Sequence, residues 1–420
     1  MSVPSGPGLP PLRLETPPLA GRADAAVTLS TVARLVASGS AVSKAELVTA
    51  AGLARTTVST AVDELLARGV LVPDGLRPTA GRGRPADRLA LSPHGGLVLL
   101  ADVGARGAHL AVVDLRQRLL AHVHVDIDVQ HGPDAVLGTV ETTLDALRAG
   151  VSAAPVRAVV IGLPGPVDGH LGVPVRPPIM PGWHAYPVAA RLSATFGCPA
   201  VLENDVNLRA LGEARALPAD QVPLLFVKVG TGIGGGLVTT EGVLHHGADG
   251  AAGDIGHVRV RGAPDVTCVC GNVGCIEAVA SARAIADRLT AMGLGPVDGQ
   301  PATIADVRAL VARSDPVALG LVREAAGLIG EVVAMLVHFY NPVRVTLGGS
   351  VTAASDELLA GVRSVVYQRA LPLATRNLVL ANSVLGELAG LGGASVLGIE
   401  RILSPRGVAA LGRPPAHSRP

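Results

Sequence analysis

Three cysteines stand within eight residues, as Cys268-x-Cys270-x4-Cys275, and His257 lies eleven positions before the first. Three thiolates and one imidazole form a tetrahedral donor set for Zn²⁺, a cation that takes sulfur and nitrogen ligands. Gly271 and Gly274 let so short a segment fold around an ion. Four protein ligands leave no open coordination position, so the metal would be structural rather than catalytic. The competing reading is a group of buried free cysteines. The crowding of three of the chain's four cysteines argues against it, and Cys198 standing alone excludes a disulfide framework.

A second group of residues suits nucleic acid. Arg55, Thr56, Thr57, Ser59 and Thr60 fall on the outward side of a helix expected over 54–67, near its start. Arginine and hydroxyl side chains there can meet base edges and phosphates in a major groove. Arg82 and Arg84 come next in Gly81-Arg82-Gly83-Arg84-Pro85, a cationic tip of the kind that enters a minor groove or grips phosphate. The alternative is a small helical protein-interaction module with a solvated arginine loop.

A third group is a series of motifs, the first three of them placed after apolar runs. In order they are Asp102-Val103-Gly104, Leu163-Pro164-Gly165-Pro166-Val167-Asp168, Glu203-Asn204-Asp205-Val206-Asn207, the glycine-rich stretch Gly230-Thr231-Gly232-Ile233-Gly234-Gly235-Gly236, then Gly253-Asp254-Ile255-Gly256-His257, Glu277 and Gly348-Gly349. The glycine-rich stretch could present backbone N–H groups to phosphate. Each acidic residue taken alone could be a solvated loop charge.

Taken in order and with the cysteine cluster, these motifs resemble the ROK family of repressors, open reading frames and sugar kinases, over about residues 28–403. The N-terminal module places the resemblance with the xylose-repressor branch. It implies an actin-like, two-lobed sugar-kinase fold of the α/β class, preceded by a winged helix-turn-helix. It implies sugar contacts at Asn204, Asp205, Asp254, His257 and Glu277, with His257 serving both zinc and sugar. It implies phosphate contacts, vestigial here, at Asp102, Gly104, Thr231, Gly232, Gly234, Gly348 and Gly349. It also implies a homodimer or homotetramer.

In the family's kinases the residue matching Asp205 is the catalytic base that takes the sugar hydroxyl proton. Two positions depart from the pattern. The first phosphate loop reads Asp102-Val103-Gly104-Ala105-Arg106 where kinases carry Asp-x-Gly-Gly-Thr. Ala105 at a position needing positive φ would cost about 1 kcal/mol, and Arg106 replaces a hydroxyl donor. Asp254 stands where the family usually has Glu. The expectation is a sugar- or sugar-phosphate-responsive repressor of carbohydrate genes that binds operator DNA and structural Zn²⁺. The alternative is an ATP- and Mg²⁺-dependent hexose or amino-sugar kinase carrying a DNA-binding arm, with Asp205 catalytic.

The elements that must position these groups are legible from periodicity. A helix is expected over 27–36. Ser43-Lys44-Ala45-Glu46 reads as a capping box, and Gly52 ends the helix it starts. Val58, Ala61, Val62, Leu65 and Leu66 then mark one helix face. Val70-Leu71-Val72 reads as a strand closed by the turn Pro73-Asp74-Gly75. From about residue 96, apolar strands over 97–103, 108–114, 158–163, 200–202, 224–229 and 343–347 alternate with helical patterns over 134–147, 302–312 and 316–338, an α/β arrangement. The expected organisation is a disordered arm over 1–24, a winged helix-turn-helix over 25–92, a two-lobed sensor over 93–403 and a disordered tail over 404–420.

Composition agrees with this layout. A chain of 420 residues exceeds one ordinary core. Its net charge of +1 requires any DNA-reading face to be local. Only 2% of residues are aromatic, so a sugar would be held by hydrogen bonds more than by ring stacking. The N-terminus lacks a signal-peptide pattern and no apolar stretch approaches the roughly 20 residues that span a bilayer. A cytoplasmic protein without membrane contact is expected.

Overall fold

Side-chain oxygens start the first two helices. Asp24 accepts from the Val27 N–H ahead of α1 (Ala25–Ala37), and Ser43 accepts from the Glu46 N–H ahead of α2 (Lys44–Ala51). The protein is seen here as a computed structural model that describes residues 8–15, 24–77, 86–294 and 300–411. The reciprocal half of the expected capping box is displaced: Glu46 Oε2 accepts from the Val42 N–H at 2.9 Å, one residue before the cap. Gly52, at φ 63°, ends α2. Then α3 (Arg55–Ala67) begins at Ala54 without a side-chain cap and buries Val58, Ala61, Val62 and Leu65.

The strand β1 (Leu71–Arg77) pairs antiparallel with β2 (Ala86–Leu91). The turn expected at Pro73-Asp74-Gly75 is instead an irregularity within β1, between Pro73 and Leu76, with Gly75 at φ 84°. A bulge bends the strand and lets pairing continue. The tip bearing Arg82 and Arg84 lies outside the described residues.

The next element is a five-stranded sheet. Its strands are β3 (Leu97–Val103), β4 (Ala108–Asp114), β5 (Leu119–Val125), β6 (Val156–Leu163) and, after the short hairpin β7 (Val167–Asp168) and β8 (Val173–Pro174), β9 (Ala200–Asn204). The order is β5-β4-β3-β6-β9, with β3, β6 and β9 parallel. All seven residues of β3 are buried because both faces are covered. Leu97 and Leu99 pack with Leu137 of α4 (Pro133–Val151) and Val188 of α5 (Val188–Phe196), whereas Val98 and Leu100 face the opposite core.

The second half begins with α6 (Asp205–Ala216), β10 (Leu224–Val229) and β11 (Ile233–Val238). It continues through α7 (Ile276–Ala280), α8 (Ala282–Ala291), α9 (Ile304–Ala312), α10 (Pro316–Tyr340), β12 (Arg344–Gly348), α11 (Glu357–Arg369), α12 (Pro372–Thr375) and β13 (Val379–Asn382). It ends in α13 (Ala389–Ile402) and α14 (Pro405–Ala410). A four-stranded sheet runs β11-β10-β12-β13, with β10 and β12 parallel.

The two halves meet through α6 and α13. A Cβ on Gly393 would sit 1.9 Å from the Leu208 carbonyl oxygen, and one on Gly212 would sit 2.2 Å from that of Ala389. Glycine at both places lets the helix backbones touch. Leu391, Ala394 and Ile399 of α13 share one core with Val98 and Leu100 of the five-stranded sheet and with Val32 of α1 and Leu65 of α3.

The chain ends differ from expectation. Leu12 and Leu14 are buried, the Arg13 N–H donates to the Arg215 carbonyl, and the Arg13 side chain donates to the Ala214 and Leu217 carbonyls. Ser404 caps α14, Val408 is buried, and Arg68 donates to the Val408 carbonyl at 2.7 Å. Disorder is therefore corrected for residues 8–15 and 404–411. Alternating leucines and charges find partners that composition does not reveal. Among the described residues no helix is long and apolar enough to cross a membrane.

Candidate functional site

The cysteine cluster closes as its spacing suggests. The Cys268 N–H donates to the Asn272 carbonyl, and Gly271 and Gly274 take φ of 90° and 75°. The donor atoms of His257, Cys268, Cys270 and Cys275 all lie within 4.8 Å of one another. Cys270 Sγ and Cys275 Sγ are 3.8 Å apart, and Cys268 Sγ lies 3.7 Å from His257 Nδ1. Zinc–sulfur bonds of about 2.3 Å give a tetrahedral edge of about 3.8 Å, so these residues fit such a cation.

Burial, with the neighbouring sulfurs, pushes the Cys275 thiol up to about 12, and burial also raises Cys268. The Asn272 N–H lowers Cys270. A divalent cation would displace the protons that the buried thiols otherwise keep.

The cysteine cluster and His257 set the position of the neighbouring acidic side chains. Cys275 is the N-cap of α7, and α7 carries Glu277. His257 closes the short turn that starts after Asp254. Asp254, His257 and Glu277 thereby line one cavity of about 110 Å³ together with Asn204 and Asp205. The structure brings together all five residues that the resemblance linked to sugar. His257 turns Nδ1 toward the Cys268 sulfur. Glu277 Oε2 accepts from the Ile233 N–H at 3.0 Å. Burial raises the Asp254 carboxyl, and His257 opposes that rise.

Asn204 is largely committed to structure. Its Oδ1 accepts from the Val206 and Asn207 N–H groups and its Nδ2 donates to the Gly165 carbonyl at 2.9 Å, so it caps α6 and fixes the neighbouring loop. Sequence reasoning missed His246, whose Nε2 lies 2.8 Å from Glu203 Oε2. The Glu203 carboxylate raises the His246 pKa, and its other oxygen holds the Asn204 N–H and the Asn207 amide. Trp183 is fully buried, donates Nε1–H to the Val129 carbonyl and lines neither this cavity nor the next.

A larger cleft of about 780 Å³ adjoins this cavity and is lined by Asp102, Gly104, Thr231, Gly348 and Gly349. Their loops leave the C-terminal ends of parallel strands, where α/β sheets place ligands. Gly232 and Gly234 line the smaller cavity instead. The expected glycine-rich phosphate loop is shorter than the sequence suggests, because residues 233–236 already belong to β11. A Cβ at Gly234 would lie 2.9 Å from Val206 and one at Gly236 would lie 2.6 Å from Ala210, so these glycines make room for α6. Ala105 is not at positive φ, and the strain expected of it does not arise. Arg106 is exposed and pairs with Asp128 at 3.6 Å.

Two ion pairs that the sequence did not announce occupy the junction. Arg209 of α6 pairs with the fully buried Asp102 at 2.6 Å. Lys228 of β10 bonds Asp205. The available signal was a lone lysine inside the apolar run of β10.

On α3, Arg55, Thr56, Thr57 and Thr60 are exposed and Ser59 is half-buried. Lys44 donates to Ser59 Oγ at 3.1 Å and pairs with Asp63 at 2.7 Å. The outward face read from periodicity is the face the helix presents.

The ROK family model matches residues 99–401. A putative xylose repressor of Caldicellulosiruptor sp. is 29% identical over 78% of this chain and 84% of its own length. A ROK-family glucokinase from Streptomyces griseus, solved with glucose and AMPPNP, is 29% identical and covers 72% of this chain and 99% of its own, with a TM-score of 0.60. A ROK-family transcriptional regulator, described as a homologue of the E. coli MLC protein, covers 92% of this chain and 98% of its own at 24% identity, with a TM-score of 0.76. The likeness of fold to the regulator thus takes in more of this chain than the likeness to the glucokinase. With most of its length matched by the family model, this chain belongs to the ROK family.

Proposed function

We propose that the chain is a sugar-responsive DNA-binding repressor of carbohydrate genes, acting in the cytoplasm as a homodimer or homotetramer. In this reading Arg55, Thr56, Thr57, Ser59 and Thr60, with Arg82 and Arg84, contact operator DNA. Asn204, Asp205, Asp254, His257 and Glu277 form the effector site, and structural Zn²⁺ is held by His257, Cys268, Cys270 and Cys275.

The observation that carries the reading is the path along α6. Its first residue, Asp205, lines the small cavity. Near its other end Arg215 pairs with Glu400 of α13, and the Glu400 carbonyl accepts from Arg34 of α1 at 2.9 Å. A ligand that shifts α6 therefore acts on a helix of the DNA-reading unit, and two such units set the half-site spacing a dimer can span.

The deciding measurement is binding of the zinc-loaded protein to DNA upstream of its own gene, at stated salt, with and without a sugar panel. A tenfold shift by one ligand, about 1.4 kcal/mol of coupling, is the expected result. Specific binding that no ligand alters removes the switching function.

A sugar kinase is the second reading, favoured by Asp205 lying in the cavity beside a cleft of nucleotide size. The Lys228–Asp205 pair opposes it by engaging the carboxylate that would act as base. Here Asp102, Gly104, Thr231, Gly232, Gly234, Gly348 and Gly349 would contact the phosphates of ATP–Mg²⁺. Turnover of ATP, Mg²⁺ and sugar above that of Asp205→Asn would establish it.

A further inference from the structure

We propose that His246 is a positioning residue of the small cavity: bonded to Glu203, it ties the loop that carries Asp254 to the strand end that carries Asn204 and Asp205. This rests on the sensor reading and adds to it a residue that acts through another, since neither His246 nor Glu203 lines the cavity.

Two walls of the cavity come from different sheets. Asn204 ends β9 of the five-stranded sheet and Asp205 follows it, whereas Asp254 ends a loop that leaves β11 of the four-stranded sheet. That loop is anchored to β11 at both ends. The His245 N–H donates to the Leu237 carbonyl and the Gly235 N–H to the Gly253 carbonyl, each at 2.8 Å. The Ala252 N–H donates to the His246 carbonyl at 3.2 Å, so the loop closes on itself. From it, His246 Nε2 meets Glu203 Oε2 of the other sheet at 2.8 Å. The loop approaches that half a second time at Gly250, where a Cβ would sit 3.1 Å from the Val167 carbonyl oxygen.

Glu203 passes the contact on. Its side chain is buried, and its Oε1 accepts from the Asn204 N–H and from the Asn207 amide, both at 2.9 Å. Oε2 is left to His246. Without the imidazole, half of a buried carboxylate loses its partner, which costs free energy unless the group turns toward water. Turning would release Asn204, whose Oδ1 starts α6 and whose Nδ2 holds the Gly165 carbonyl.

An imidazole makes this tie depend on pH. The hydrogen bond to Glu203 raises the His246 pKa, burial opposes the rise, and the Glu203 charge adds to it. The charged groups of its own loop, His245 and Asp249, are exposed. An imidazolium bonds a carboxylate more strongly than a neutral ring does. With the folded value raised, the tie is at full strength below the unfolded pKa of about 6.5 and weakens as pH rises through the folded value. A ligand that touches both walls should bind more tightly at the acid end of this range.

The test uses the full-length, zinc-loaded protein, His246→Gln, which keeps a donor but does not titrate, and His246→Ala, which keeps neither property. Amide hydrogen exchange, corrected for the intrinsic effect of pH, reads residues 204–207 and 245–254 without any ligand. In the wild type, protection of both segments is expected to fall about threefold or more from pH 6.0 to pH 8.5. In His246→Gln it should stay level. His246→Ala should lose protection at 204–207, on the opposite sheet, at both pH values. Calorimetry with D-glucose and D-xylose gives a second readout: a sugar that binds should lose about threefold or more in affinity over the same range in the wild type, and clearly less in His246→Gln. Unchanged protection of 204–207 in a folded His246→Ala protein overturns the proposal, and so does a His246→Gln protein with the wild-type pH profile. Should His246→Ala not fold, the profiles of wild type and His246→Gln decide. If neither sugar binds while exchange behaves as expected, the sensor reading falls for these sugars and His246 keeps its place in setting the cavity.

Discussion

Arg215 at the end of α6 reaches Glu400 of α13, Nη1 to Oε1 at 3.3 Å, and with its other terminal nitrogen reaches Glu15 at 3.2 Å. Only 2% of the Arg215 side chain is exposed. One buried cation thus ties together the N-terminal segment, the ligand-site helix and the helix that meets α1. Removing one partner of a buried ionic cluster costs about 3–5 kcal/mol because the remaining charges stay desolvated. Arg215→Met is expected to destabilise the protein by that order in denaturant titrations. Glu400→Gln keeps a hydrogen-bond acceptor and should cost less, while weakening the effect of ligand on DNA affinity. A Glu400→Gln protein with unchanged ligand response would remove Arg215 from the coupling path.

The cysteine cluster predicts its own dependence on metal. Cys275 stands immediately before the helix that carries Glu277, and His257 belongs to both the cluster and the small cavity. Cys275→Ser should lose the stoichiometric zinc measured by mass spectrometry. It should also weaken effector binding by about 10–100-fold, the scale seen when groups that orient a site are disturbed. Retention of full effector affinity in a metal-free protein would show that the cavity stands without the ion.

Much of this arrangement was legible in sequence because it depends on local pattern. The expected helix over 316–338 is α10, Pro316–Tyr340, and the strand expected over 224–229 is β10. Both carry long apolar runs whose burial needs no special partner. The group that could hold a metal was legible because three sulfurs so close in sequence have few other uses. What escaped was long-range pairing. Lys228 and Asp205, or Arg209 and Asp102, become neighbours only when the two sheets are folded, and no local pattern records that. The packed segment at residues 8–15 was hidden for the same reason, since its proline-rich surroundings mask the Leu12 and Leu14 anchors.

The outward face of α3 can be tested apart from the sensor. Arg55 is exposed and unhindered by the core that Val58 and Val62 enter. Arg55→Ala should weaken operator binding by about 1–3 kcal/mol if it reads a base, relaxing specificity at one position. A phosphate contact would instead weaken all sequences alike and reduce the salt dependence. Effector binding, measured by calorimetry, should not change. Operator affinity equal to wild type would take Arg55 out of the interface.

Three histidines meet on adjacent strands beside the large cleft. His109 Nδ1 lies 3.1 Å from His122 Nε2, and the His109 and His124 rings are 4.7 Å apart. Burial, then the charges that His124, His122 and Arg209 would place nearby, lower the His109 pKa to about 3 from 6.5. The folded state therefore disfavours protonation. Above the unfolded pKa near 6.5 both states hold His109 neutral, and its contribution to stability is complete. As pH falls below that value the unfolded state takes up a proton that the folded state refuses, so stability declines toward pH 3. The slope for one such group is about 1.4 kcal/mol per pH unit. Unfolding free energies measured from pH 7 to pH 4.5 should fall less steeply for His109→Gln than for the wild type, by roughly one group's slope. Parallel curves would mean that His109 is already protonated in the folded protein, with its charge accommodated by the cleft.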